Sequence, residues 1–275
     1  MQNKLRIALI GDIAGVPGRA FFQKHIGPLK EQHKLDAVIV NGENSAADGR
    51  GITPPIMHFF KHNGVAVVTS GNHIWAKREI IPYLSEHTDL LRPANFPSTC
   101  PGKGVTTFTC KGYTVGVINL QGRIFMREQV ACPFRTADTL LTYLKTKTPL
   151  ILVDFHAEAT SEKVALAHYL DGKVSAVVGT HTHVPTADER ILPHGTAFIT
   201  DLGMTGPLHS VIGVKKELII RHMTTQMPVK FEIETEGPMV LSGVIIDIHT
   251  ATGKAEHIER LYITDSSLSL DGYHD

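Results

Sequence analysis

Five short runs, LRIALIG at 5–11, DAVIVNG at 36–42, VAVVTSG at 65–71, LILVDFH at 150–156 and VSAVVGT at 174–180, are apolar almost without interruption and rich in Val and Ile. A strand with one wet face alternates apolar with polar residues, so runs of this kind belong to strands covered on both faces. Helix-like stretches lie between most of them, at 18–33, 54–63, 76–86, 136–147 and 161–170. The alternation predicts an α/β protein in which helices cover parallel or mixed sheets. In the middle of the chain, TTFTCKGYTVGVINL (106–120) alternates around Lys111-Gly112 and predicts an antiparallel hairpin. Two later β-like runs, 229–235 and 239–249, flank Glu236-Gly237-Pro238 and predict an antiparallel layer near the C-terminus.

At 275 residues and 42% hydrophobic, the chain can bury one large core, and no fixed-period repeat or linker-like stretch divides it. The expectation is a single domain over 1–265 followed by a frayed tail, 266–275. Lys plus Arg equals Asp plus Glu at 27 each, so no global field draws the chain to nucleic acid or to an anionic membrane. An anionic substrate has to be gripped locally, and extended nucleic-acid binding is not expected. No stretch approaches the ~20 apolar residues of a membrane helix. Cys100, Cys110 and Cys132 are odd in number and lack C-x-x-C spacing, and the N-terminus runs directly into a strand-like segment. A reduced, cytoplasmic protein is expected. The apolar segment MVLSGVIIDI (239–248) suits a core or a subunit interface, which leaves a homo-oligomer open.

Each buried-strand candidate ends in a side chain able to ligate a metal: Asp12, then Glu43-Asn44, Asn72-His73, His156, and His181 with His183. Such strand ends converge at one edge of an α/β sheet. So many oxygen and nitrogen donors exceed the need of one octahedral ion, and a pair of ions sharing a carboxylate fits them better. Each residue alone has a plainer reading. Asp12 could cap the following helix, Asn44 could serve a turn in AADGRG (46–51), and His156 or His181 could be hydrogen-bonded core histidines. Glu43 is harder to explain away, because a carboxylate directly after an apolar strand needs a compensating cation. His181 and His183 stand at i and i+2, which an extended strand points to the same side and a loop could splay toward two metals. Gly179 permits close backbone approach there, and Thr180 and Thr182 can hydrogen-bond the ligands and fix their tautomers.

At these residues the chain resembles the calcineurin-like metallophosphoesterases, through the blocks GDIAG, NGEN, SGNH, DFHAE and GTHTH. It is more similar still to one branch, the YmdB-like bacterial phosphodiesterases, through NGENSAADGRGITP, GNHIWAK, RPANFP, INLQGRIFM, DFHAEATSEK and GTHTHVPTADERILPHGTAFITDLGMTGP, which span most of residues 5–225. The resemblance implies a four-layer α/β/β/α sandwich with mixed sheets. It implies a site for two divalent or trivalent ions bridged by Glu43, with Asp12, Asn44 and His183 on one and Asn72, His156 and His181 on the other. His73 would stand at the leaving group as general acid without ligating. The broad superfamily begins D-x-H, whereas here Ile13 and Ala14 follow Asp12. Asn44 is then the substitute ligand, and its harder oxygen points to iron or manganese rather than zinc.

The activity implied is metal-dependent hydrolysis of small cyclic nucleotides, 2′,3′ or 3′,5′, by a bridging hydroxide. Arg123 in GRIFM and Arg50 in AADGRG are candidate phosphate clamps. In RPANFP, Asn95 and Phe96 could wall a nucleobase pocket or equally form a mere connection, and Trp75 is expected to pack the start of a helix. Two other functions are compatible with the same residues: a phosphomonoesterase or phosphoprotein phosphatase, and a regulatory protein that holds metal with little turnover.

Overall fold

The computed structural model describes residues 3–265, so the expected tail lies outside the described residues. One sheet contains β1 (Lys4–Ile10), β2 (Asp12–Ile13), β3 (Ala37–Asn41), β4 (Val67–Thr69), β11 (Met204–Pro207), β12 (Met239–His249) and β13 (Ala255–Asp265). The other contains β5 (Val105–Cys110), β6 (Tyr113–Gln121), β7 (Ile151–His156), β8 (Ala176–Thr180), β9 (Arg190–Ile191) and β10 (Ala197–Ile199). The strand orders are β2-β11-β12-β1-β3-β4, with β13 also paired to β12, and β5-β6-β7-β8-β10-β9. Both sheets are mixed. β1, β3 and β4 run parallel in the first, and β6, β7, β8 and β10 in the second.

The helices are α1 (Gly15–His33), α2 (Pro54–His62), α3 (Ile80–Glu86), α4 (Pro133–Leu144), α5 (Thr160–Leu170) and α6 (Lys216–Thr225). Three apolar clusters make the layering explicit. Leu5, Ile7 and Leu9 of β1 meet Val117, Leu152 and Val178 between the sheets. The alternate residues Ala8 and Ile10 face Phe21 and Phe22 of α1 and Phe60 of α2. On the far side, Ile151, Val153 and Phe155 of β7 pack against Leu141 of α4 and Leu166 of α5. The order is therefore helix, sheet, sheet, helix, as expected. Burial on both faces is why these strands carry so few polar residues.

Several expectations need correction. Residues 76–79 are not helical; α3 begins only at Ile80. The preceding segment is held by the backbone bond of His73 to Glu43, by Lys77 on Asp48 at 2.8 Å and by Trp75 edge-on to Phe96. These tertiary contacts override local helical pattern. The run 229–235 is no strand and makes one bridge, Ile233 to Val214. Both edges of β12 are already occupied, by β13 on one side and by β1 and β11 on the other. The late antiparallel layer is thus β12 with β13. The three cysteines are free, and no helix among the described residues is long and apolar enough to cross a membrane.

Candidate metal centre

The carboxyl ends of β1, β3, β4, β7 and β8 meet at one edge of the sandwich, on the seam between the sheets. Asp12, Glu43, Asn44 and Asn72 reach it from the first sheet, and His156, His181 and His183 from the second. Nε2 of His156 lies 3.0 Å from Oε1 of Glu43, 3.1 Å from Oδ1 of Asn72 and 3.0 Å from Nδ1 of His181. Ligands at about 2.1 Å from one ion stand roughly 3 Å from their neighbours around it, so the four atoms are spaced as one coordination sphere. Among the described residues, Glu43, His156 and His181 bring ligand atoms within 4.8 Å of one another, a grouping that could hold an ion.

The hydrogen bonds around His156 fix its tautomer. Thr180 Oγ1 donates to Asp154 Oδ1 at 2.7 Å, because a carboxylate can only accept, and so accepts in turn from Nδ1–H of His156 at 3.0 Å. Nε2 is left to the cleft with a lone pair. His181 is set in the opposite sense: its Nε2 lies 3.1 Å from Glu158 Oε2, which leaves Nδ1 to face His156. Lone pairs that confront each other at such range require a proton or a cation between them. Asp154 also accepts from Thr69 and from Asn41, whose Oδ1 receives the backbone N–H of Glu43. One buried carboxylate thereby orients both Glu43 and His156. An Asp within an apolar strand is the signal that marks it in the sequence.

The second half of the seam is looser. Asp12 is fully buried, and its Oδ2 accepts the His181 backbone N–H at 3.2 Å, while its Oδ1 has no hydrogen-bond partner and lies 3.9 Å from His183 Nε2. Asn44 gives Nδ2 to Gly49 O at 2.9 Å, which leaves a buried Oδ1 without a partner. Each of these orphaned buried oxygens is costly unless a cation accepts it. The donor set of three imidazoles, two carboxylates and two amides fits a pair of such ions. Electrostatics agree. Burial lifts the Asp12 carboxyl well above its ordinary range against the pull of His156. Burial also opposes ionisation of Glu43 and His156, yet the Glu43 carboxylate favours a positive charge at His156 Nε2, so Glu43 falls and His156 rises; a cation at that place would supply the same charge and leave Nε2 its lone pair. His181 is pushed down to about 3 by burial and by the charge on His156.

β8 ends at Thr180, and His181 (φ 102°) and His183 (φ 65°) both occupy the left-handed region that side chains avoid. The loop splays the two rings, His181 to His156 and Glu43, His183 to Asp12. Asp201 holds it: its Oδ2 accepts from Thr182 N–H at 3.2 Å, Thr182 Oγ1 at 2.8 Å and Lys163 Nζ at 2.6 Å. Lys163 and Asp201 are each 1% exposed, and nothing local in the sequence announces their pairing across 38 residues. His73 is half-buried and touches the centre through its backbone N–H, 3.1 Å from Glu43 Oε2. Arg50 and Arg123 are exposed, on loops flanking the seam. Phe96 and Asn95 are buried; Asn95 ties Gln121 to Ala131, so this segment is a brace rather than an open pocket wall.

A family model described as YmdB-like protein matches residues 8–261. The chain belongs to the YmdB-like family. Among YmdB-like and related proteins, it is 49% identical over 267 residues to the 2′,3′-cyclic-nucleotide 2′-phosphodiesterase of Bacillus subtilis, covering 97% of this chain and 100% of that one. It superposes on a phosphatase of Mycoplasma pneumoniae with a TM-score of 0.90 at 35% identity, covering 97% of this chain and 95% of the other. A hypothetical protein from Thermus thermophilus gives a TM-score of 0.87 at 38% identity, covering 95% and 100%. The expected family and fold are borne out, and so is a hydrolase at the level of the family's named members.

Proposed function

We propose that the chain is a metal-dependent phosphodiesterase that hydrolyses small cyclic nucleotides, 2′,3′-cyclic ones foremost, at a centre of two ions bridged by Glu43. The observation that carries this reading is the seam itself, where donors from five strand ends meet around one buried carboxylate in a chain 49% identical to a 2′,3′-cyclic-nucleotide phosphodiesterase. Bound there, a pair of cations, iron or manganese by the donor set, supplies an activated water and neutralises phosphate charge. This chain's residues do the rest. Asp12, Asn44 and His183 hold one side of the seam, and Asn72, His156 and His181 the other. His73 delivers the proton that the leaving oxygen needs, while Arg123 and Arg50 reach for the phosphate from the flanking loops.

Elemental analysis paired with assays on 2′,3′- and 3′,5′-cyclic nucleotides tests the reading. Two metals per chain and turnover of the 2′,3′ compounds are expected; absence of both refutes it. In the same assay His73→Ala keeps its metals and loses roughly 10²–10⁴ in turnover, the scale of a general acid. Glu43→Gln is expected to lose the metals as well, and unchanged metal content would remove Glu43 from the bridging role. Likeness to a phosphatase favours phosphomonoester hydrolysis as a second reading, and comparing a bis-aryl with a mono-aryl phosphate separates the two.

A further inference from the structure

Directly behind His183 opens a cavity of about 510 Å³, within the range of roughly 300–1,000 Å³ typical of small-molecule sites. His183 is part of its wall, and so is Met204, the β11 residue that pairs in register with Asp12. The cavity therefore borders the Asp12 half of the seam, sharing His183, whose Nε2 lies 3.9 Å from Asp12 Oδ1. Most of its remaining lining is apolar, including Val184, Leu208 and Ile212, with Arg260 and Tyr262 of β13 as polar-tipped members. A second cavity, about 460 Å³, lies among residues 145–149 and 252–254, at the opposite ends of the strands.

Two further features mark this cavity as built for a ligand. Val184, Ile212 and Tyr262 are 58%, 50% and 51% exposed, so three large side chains face solvent around one hollow. Ile212 is also β-branched at φ 49°, a strained conformation, and its carbonyl accepts Nδ1–H of His183 at 2.9 Å. One strained residue thereby orients a candidate metal ligand and walls the hollow beside it. A group that fits here is largely apolar, with polar contacts available at its edge from Ser210, Arg260 and Tyr262.

We infer that this cavity receives the base of a nucleoside phosphate whose phosphate lies at the seam, an inference that rests on the phosphodiesterase reading above. Tyr262 offers the base a ring face, Val184, Leu208 and Ile212 its apolar contact, and Arg260, anchored on Thr186 O at 3.2 Å, a fixed cation at the border.

Two variants away from the proposed ligands test it: Tyr262→Ala removes the aromatic wall and Leu208→Trp fills the hollow. For a nucleoside 2′,3′-cyclic phosphate, KM is expected to rise about tenfold or more, the scale of one lost base–aromatic stack. Turnover number, metal content and KM for base-free ribose 2′,3′-cyclic phosphate stay unchanged. Calorimetric binding of plain adenosine weakens by the same factor in both variants. Equal effects on both substrates, no effect on either, or unaltered adenosine binding would overturn the assignment, as would the same loss from Phe125→Ala on the opposite loop instead. Wild-type chain that binds adenosine but hydrolyses no cyclic nucleotide refutes the reaction and keeps the base site. Hydrolysis without any preference for the base-bearing substrate refutes the base site and keeps the reaction.

Discussion

A methyl group on residue 71 would overlap Cδ2 and Nε2 of His156, so the glycine of SGNH is there to leave room for an imidazole. Gly71→Ala must displace that ring. Metal content is expected to fall with little change in overall fold, and elemental analysis with circular dichroism checks both. Gly179 is similarly constrained, since a side chain there would overlap Thr200 O. At this scale the sequence is informative wherever a polar residue interrupts or ends an apolar run: Asp12, Glu43, His156 and the buried Asp154 all announce themselves. Lys163 and Asp201 do not, because their meaning lies in a contact between distant segments. The exposed Arg50 and Arg123 are equally uninformative, since a surface arginine looks the same whether or not it meets a ligand.

Among the elements, the loop after β8 is costly to hold. Two histidines in left-handed backbone, each costing roughly 1–3 kcal/mol, persist only where surrounding contacts over-determine them. Asp201 provides those contacts through Thr182, through Gly203 N–H at 2.8 Å and through Lys163 of α5. Lys163→Met leaves a buried carboxylate unpaired. A loss of about 3–5 kcal/mol in denaturant unfolding is expected, together with metal binding weakened about 10–100-fold. Lys163→Arg should recover part of the metal affinity, and full affinity in Lys163→Met would show that the pair is structural alone. Strands buried on both faces were readable from their composition, as was the hairpin at Lys111-Gly112. The late region was not: α6 buries only Ile219 and leaves Ile220 and Met223 exposed, so its apolar residues mark no buried face, and 229–235 alternates like a strand although both edges of β12 are taken.

Taken whole, the molecule keeps a second electrostatic anchor at the end of the sheets remote from the seam. Asp247 of β12 meets Arg6 at 2.6 Å and Lys4 at 2.8 Å, and the hydrogen bond from Arg6 outweighs burial to bring its carboxyl down to about 2. A depressed acid stabilises the fold above its unfolded value of about 4 and loses that contribution as pH falls through the folded value. Asp247→Asn is therefore expected to destabilise fully near neutrality, with the gap to wild type closing between about pH 4 and pH 2; urea midpoints across that range measure it, and a gap independent of pH would contradict it. At the opposite end, neither sheet carries a complete set of donors. A chain cut so that one sheet is lost would keep only part of the proposed donor set, and loss of both bound metal and hydrolysis is the expected outcome of such a cut.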